Sequence, residues 1–253
     1  VKPEPTQKGN PHHLVVRQHV FPVASLDRFS NKDGRLHVRL ITSKKYLHLE
    51  SSHSLFCAER AWDERAEKGY MRGIEDEFQD LAREVIFSRQ GSLDENTSLV
   101  ATRFFALWKC RAHFKKDPLP DVKLNALGVE RELTKDEEEC LEKNGYVFAR
   151  SNLTIAGRQM TGIQIQTHID RICDHLESYQ WMIVRADAGE FIVPDSPPEE
   201  PFIPLNPQIA LVGNSKLSKI SKIALGKINK HLHSSCHRYY LGRDLQVCPI
   251  APK

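Results

Sequence analysis

Four side chains in this sequence are of the kinds that perform hydrolysis: His13, Glu75, Asp195 and Asn229. An imidazole titrates near neutral pH and can act as general acid or base, and a carboxylate can activate water or hold a divalent ion. Asp195 lies in Pro194-Asp195-Ser196-Pro197-Pro198, a proline-stiffened loop leaving a strand end, so its carboxylate has a rigid mount. The same setting suits an Asx turn that only caps the loop. Asn229 stands among apolar residues of a helix, where a buried amide needs partners, and tying that helix to a strand would supply them. Glu75 sits one residue off an apolar stripe, the usual place for a boundary ion-pair partner. If His13, Asp195 and Asn229 converge, an imidazole, an acid and an amide make an acid/base or metal site, with a divalent ion of unspecified identity as its cofactor.

Other motifs are weaker. His12 and His13 with His19 could ligate a metal, but positions 13 and 19 lack the i,i+4 spacing and no nearby Cys completes a four-ligand set. A histidine pair before a strand, with Asn31 beyond it, is also similar to the opening of the His-Asn-His nuclease motif. The second His that this motif needs on a following helix is missing. Arg171 and His175 share a helix face at i,i+4, closer than the Arg/His pairs of helical ribonucleases. Gly213-Asn214-Ser215 could offer backbone N–H groups to a phosphate, but the lysine and further glycines of a P-loop are absent. The six cysteines contain no Cys-x-x-Cys pair, which favours reduced thiols over a disulfide framework or a zinc knuckle.

The strongest hint of a partner is charge. Residues 215–237 read as an amphipathic helix with Leu217, Ile220, Ala224, Ile228 and Leu232 on its apolar side. Lys216, Lys219, Lys222, Lys227 and Lys230 dominate the rest, Arg238 follows, and no acid occurs from 215 to 243. Such a face can track a nucleic-acid backbone, with Tyr239 and Tyr240 as stacking surfaces, or engage an acidic partner protein. It can also be a solvated face and nothing more.

The elements that must position these groups follow from periodicity. Residues 35–41 alternate like a half-buried strand after an Asn31-Lys32-Asp33-Gly34 turn. Trp62, Ala66, Tyr70, Ile74, Phe78, Leu81 and Val85 recur every three or four residues, predicting a helix of about thirty residues from Ser54. Gly69 and Gly73 mark a kink or a close helix contact within it. A second helix opens at Ser92 with Glu95 as its capping box and runs to Lys116, where Pro118 and Pro120 stop it. A third is framed by Thr134 with Glu137 and by Asn144-Gly145, and a fourth begins about Gly162. Short strands at 181–184 and 190–193, joined by Asp187-Ala188-Gly189, form a hairpin, followed by a strand at 209–212. A closing strand pair occupies 238–248.

At 253 residues, with 36 Lys and Arg against 33 Asp and Glu, the formal charge of +3 is too mild to mark a polyanion-binding protein by itself. The composition is that of a globular chain, and no apolar run reaches the ~18 residues that cross a bilayer. The expected fold class is α+β, with a small, largely antiparallel sheet formed from both chain ends around a helical middle. Residues 1–10 form a disordered lead-in and 11–253 a single domain, with 115–133 its weakest joint.

Three segments together resemble a prokaryotic family of unknown function, the domain-of-unknown-function family numbered 4238. They are His13-Leu14-Val15 with Arg28-Phe29 before the Asp-Gly turn; Trp62-Asp63 followed by Ile74-Glu75; and Trp181, Gly189 to Pro197, Pro204-Leu205-Asn206-Pro207 and Ile228-Asn229. The family opens on a His-Tyr-Val-Pro-like motif, and Val16-Arg17 here stands where it often has Pro-Gln. Ser196 likewise stands where it often has Asn. The resemblance implies a bacterial, cytosolic protein without a known reaction. The function expected from the residues is a cytosolic hydrolase acting on nucleic acid, in the setting of a toxin or phage-defence effector. The alternative is a non-catalytic nucleic-acid- or protein-binding module. No membrane partner is expected.

Overall fold

The computed structural model describes residues 3–88, 90–126 and 131–250. The chain opens with β1 (Arg17–His19), α1 (Val23–Asp27), a hairpin of β2 (Leu36–Leu40) and β3 (Tyr46–Leu49), and β4 (Cys57–Glu59). The middle holds α2 (Glu64–Lys68), α3 (Tyr70–Phe87), α4 (Glu95–Lys116), β5 (Val122–Lys123), α5 (Lys135–Lys143), β6 (Thr154–Ile155) and α6 (Gly157–His175). The last part contains β7 (Trp181–Ala186), β8 (Val193–Pro194), β9 (Phe202–Asn206), β10 (Ile209–Gly213), β11 (Lys219–Ile220), α7 (Lys222–Ser235) and β12 (Tyr239–Gly242).

The fold is α+β, and the sheet joining both chain ends is present. Its order is β3-β2-β12-β8, antiparallel throughout, with Val38 opposite Leu241 and Leu241 opposite Val193. A second four-stranded sheet, β11-β7-β10-β9, has only its β11–β7 pair parallel. The pairs β1–β4 and β5–β6 complete the strands. The hairpin expected over 181–193 does not form, because β7 is bordered by β10 on one side and by β11 on the other. The chain therefore turns at Gly189 and delivers β8 to the other sheet. The closing strand pair is likewise one strand, β12, lying between β2 and β8. Apolar runs report burial but carry no register, so they could not tell these pairings apart.

The helices follow their caps. Thr134 and Glu137 form the expected capping box of α5. For α4 the cap is Asp94, whose carboxylate accepts from Thr97 N–H at 2.9 Å, rather than Ser92. The long helix expected from Ser54 is broken: residues 54–56 are a single 3-10 turn, 57–59 are strand, and α2 ends at Gly69. A Cβ on Gly69 would stand 2.5 Å from the Arg65 carbonyl oxygen, so the chain changes direction where only glycine fits. The fourth helix starts five residues before the expected Gly162, which meets α2 closely: a Cβ there would lie 2.9 Å from Ala66 Cβ.

The larger core packs α3 against α4, with Phe78 stacked on Phe104 at a centroid distance of 3.5 Å and Phe21 against Trp108 at 4.7 Å. A second cluster lies under α7, from Val184, Phe191 and Ile192 to Leu225 and Leu232. The polar lead-in has partners too. Glu4 pairs with Lys135, Arg150 and Arg158, and the Gln7 N–H donates to Glu139 at 2.7 Å. Proline-rich composition gave no sign of this clamp. Residues 127–130 of the joint expected at 115–133 lie outside the described residues. Among the described residues, no helix is long and apolar enough to cross a membrane.

Candidate functional site

The four candidate catalytic residues occupy separate settings. His13 is exposed with a positive φ of 51°, and its carbonyl accepts from Lys143 of α5 at 2.9 Å. Asp195 follows β8 and caps the entry to β12: its carboxylate accepts from the N–H groups of His237 (2.9 Å), Arg238 (2.7 Å) and Tyr239 (3.4 Å). Asn229 is fully buried in α7. It accepts from Ile192 N–H at 3.1 Å and donates to the carbonyls of Glu190 (2.8 Å) and Pro249 (2.9 Å). Glu75 forms an ion pair with the buried Arg111.

The expected convergence is therefore not met. Among the described residues no hydrogen bond, ion pair or shared partner joins any two of the four. Asn229 has no opening to solvent, and Asp195 spends both oxygens on backbone amides, as an Asx cap does. Burial raises the Glu75 carboxyl above the usual carboxylate range against the pull of Arg111. No three His, Cys, Asp or Glu side chains among the described residues gather so as to hold a metal, so the donor set does not fit the divalent ion expected from the residue types. Physically, Asp195, Glu75 and Asn229 each satisfy a backbone group or a charge that secondary structure leaves over, a role invisible to residue type alone.

One pairing escaped the sequence reading. His19 stands opposite Cys57 in the β1–β4 register, with its Nε2 3.5 Å from Cys57 Sγ and 3.1 Å from the Ser51 carbonyl. Burial lowers the His19 imidazole, partly offset by the Ser51 carbonyl, while burial raises the Cys57 thiol. The result is a neutral imidazole beside a neutral thiol, the reverse of an activated thiolate. A signal for His19 was available: His19-Val20-Phe21-Pro22 has a His-x-x-Pro spacing that His13-Leu14-Val15-Val16 lacks.

The charged stretch near the C-terminal end is arranged differently from expectation, yet four of its five lysines remain outward. The helix begins at Lys222, capped by Ser221; residues 219–220 form the edge strand β11 instead. Leu225, Gly226, Asn229 and Leu232 are buried beneath α7. Lys216, Lys219, Lys222 and Lys227 are exposed and have no ion-pair partner among the described residues. Lys230 is half-buried, and His231 bonds Glu200 at 2.6 Å. Arg238 is exposed just past the helix. Tyr239 and Tyr240, expected as stacking surfaces, are each only 5% exposed. Tyr239 packs edge-on against Phe56 at 5.5 Å, so these rings fill the core.

No curated protein and no solved structure matches the chain. One family does, described as a protein of unknown function (DUF4238), over residues 17–239. The match begins beyond His13 and takes in His19, Glu75, Asp195, Asn229 and the lysine stretch. Covering all but the two ends, it places this chain in the DUF4238 family.

Proposed function

We propose that this protein binds nucleic acid through the lysine face of β11 and α7, reading backbone phosphates rather than bases. The observation that carries it is the set of four exposed lysines, 216, 219, 222 and 227, in a stretch of chain that contains no acid from 215 to 243. Lysines without acid partners keep their counterions until a polyanion releases them, and that release drives binding. With Tyr239 and Tyr240 buried, neither ring can stack on a base, which favours a duplex over a single strand. A cytosolic setting belongs to the same proposal, in keeping with six unpaired cysteines.

The hydrolase reading ranks second. Asp195, Glu75 and Asn229 are committed to structural bonds, and the His13 ring makes no hydrogen bond or ion pair among the described residues. The test is titration of a short labelled duplex, with and without magnesium. The expected result is binding without cleavage; with four lysines engaged, affinity falls by about 10²-fold between about 50 and 200 mM salt. Binding of an acidic peptide or of anionic vesicles with no duplex binding would overturn it. Metal-dependent cleavage abolished by Asp195→Asn at unchanged melting temperature would restore the hydrolase.

A further inference from the structure

A cleft of about 520 Å³ opens between the last turn of α4, strand β4 and the start of β12, lined by none of the four lysines just described. Its lining carries the acids Glu4, Glu59 and Asp121, the last 3.4 Å from Arg150, and two groups of cations. Arg60, Arg150 and Arg158 are neutralised by Glu142, Glu138 and Glu4, the first at 2.7 Å from Glu142. Lys115 and Arg238 are not neutralised: neither has a carboxylate within ion-pair distance among the described residues. Lys115 uses one donor on the Leu55 carbonyl at 2.8 Å and lies over the Tyr239 ring at 5.9 Å, so two of its ammonium hydrogens lack a described partner. The nearby Asp195 carboxylate is already held by three amides. Phe114, Pro118 and Leu119 supply an apolar wall.

We infer that this cleft is a binding site for a small phosphomonoester, its phosphate held by Lys115 and Arg238 and its apolar or aromatic body against Phe114, Pro118 and Leu119. A lysine supplies a point charge and an arginine a planar fork, the usual pair of donors for a phosphate. The volume falls in the range of small-ligand sites. Burial and the neighbouring Arg238 pull the Lys115 ammonium down to about 8, against Asp195 and Cys57, which pull it up. A dianion placed beside it supplies the missing counter-charge. Burial keeps the neighbouring Cys57 and Tyr239 protonated and His19 neutral, so these neighbours do not change charge along with Lys115. Binding therefore weakens as pH rises through about 8, where Lys115 alone of these groups loses its proton.

The probe is phenyl phosphate, titrated by calorimetry against the intact protein, with phenol and benzoate as controls. Saturable binding is expected, weakened at least about tenfold by Lys115→Met and by Arg238→Ala. Lys115→Arg should keep the affinity and abolish its decline between pH 7 and 9, a result that loss of folding cannot mimic. The combined Lys219→Ala, Lys222→Ala and Lys227→Ala variant should bind phenyl phosphate like the unaltered chain, which separates this site from the nucleic-acid face. No saturable binding, equal binding of benzoate, or binding unchanged by Lys115→Met would overturn the assignment.

Discussion

Two regions of this molecule are rich in arginine and lysine, and they use them in opposite ways. Around α5, α6 and the lead-in, the cations lie beside acids: Glu142, 3% exposed at its side chain, accepts from Arg60 and Arg158, each at 2.7 Å. Between 215 and 243 the cations are mostly exposed, and Lys216, Lys219, Lys222 and Lys227 have no acid partner among the described residues. In the first region charge is internal cement, and removing one member strands another in a low dielectric. In the second it is available to an outside anion. Net charge, only +3, averages over the two and hides the difference.

The comparison can be broken at several points. Glu142→Ala leaves the buried Arg60 guanidinium without a carboxylate and takes one of two from Arg158, and urea denaturation should show a loss of about 3–5 kcal/mol. A loss below about 1 kcal/mol would mean that the network is solvated after all. Asn229→Leu orphans one N–H and two carbonyls, and Asp195→Ala three N–H groups. Asn229→Leu should lower stability by about 2–3 kcal/mol and Asp195→Ala, whose His237 and Arg238 amides water can reach, by about 1 kcal/mol, each seen as a lower melting temperature, whereas a purely catalytic residue would leave it unchanged.

A smaller effect is expected in acid. Burial alone would raise the Glu4 carboxyl, but Arg158, Lys135 and Arg150 outweigh it and bring it down to about 2. Its folded pKa lies below the unfolded one, so its contribution is full above the usual carboxylate range. That contribution is lost as pH falls from about 4.3 through about 2. Glu4→Gln should flatten this part of the acid limb in pH-dependent denaturation. Smallest of all, replacing Lys219, Lys222 and Lys227 by Ala should change stability by no more than about 0.5 kcal/mol, because exposed side chains without partners hold nothing together.

Much of the scaffold was legible from periodicity and caps. The Thr134 box and the basic end of α4 are local signals found where local chemistry put them, whereas Gly69, expected to kink one helix, ends α2 outright. Strand partners were not legible: β7 and β8 enter different sheets although a turn joins them, since pairing depends on edges supplied from elsewhere in the chain. The catalytic reading failed for a related reason. Asp195 and Asn229 look like reactive groups in the sequence, and only the positions of the backbone amides around them reveal what they bond. His19 was read only as a metal ligand beside His12 and His13, and its place opposite Cys57 depends on a strand register that the sequence does not show. The exposure of Lys216, Lys219, Lys222 and Lys227 was legible because charged side chains seek water whatever the local structure, although the helix starts only at Lys222.

The most direct test of the central claim is the salt dependence of duplex binding by the unaltered chain and by the Lys219→Ala, Lys222→Ala, Lys227→Ala variant. If these lysines with Lys216 contact phosphates, the slope of log affinity against log salt should fall from about −3.6 to about −0.9, at unchanged melting temperature. Equal slopes for the two proteins, or no duplex binding by either at low salt, would contradict the account.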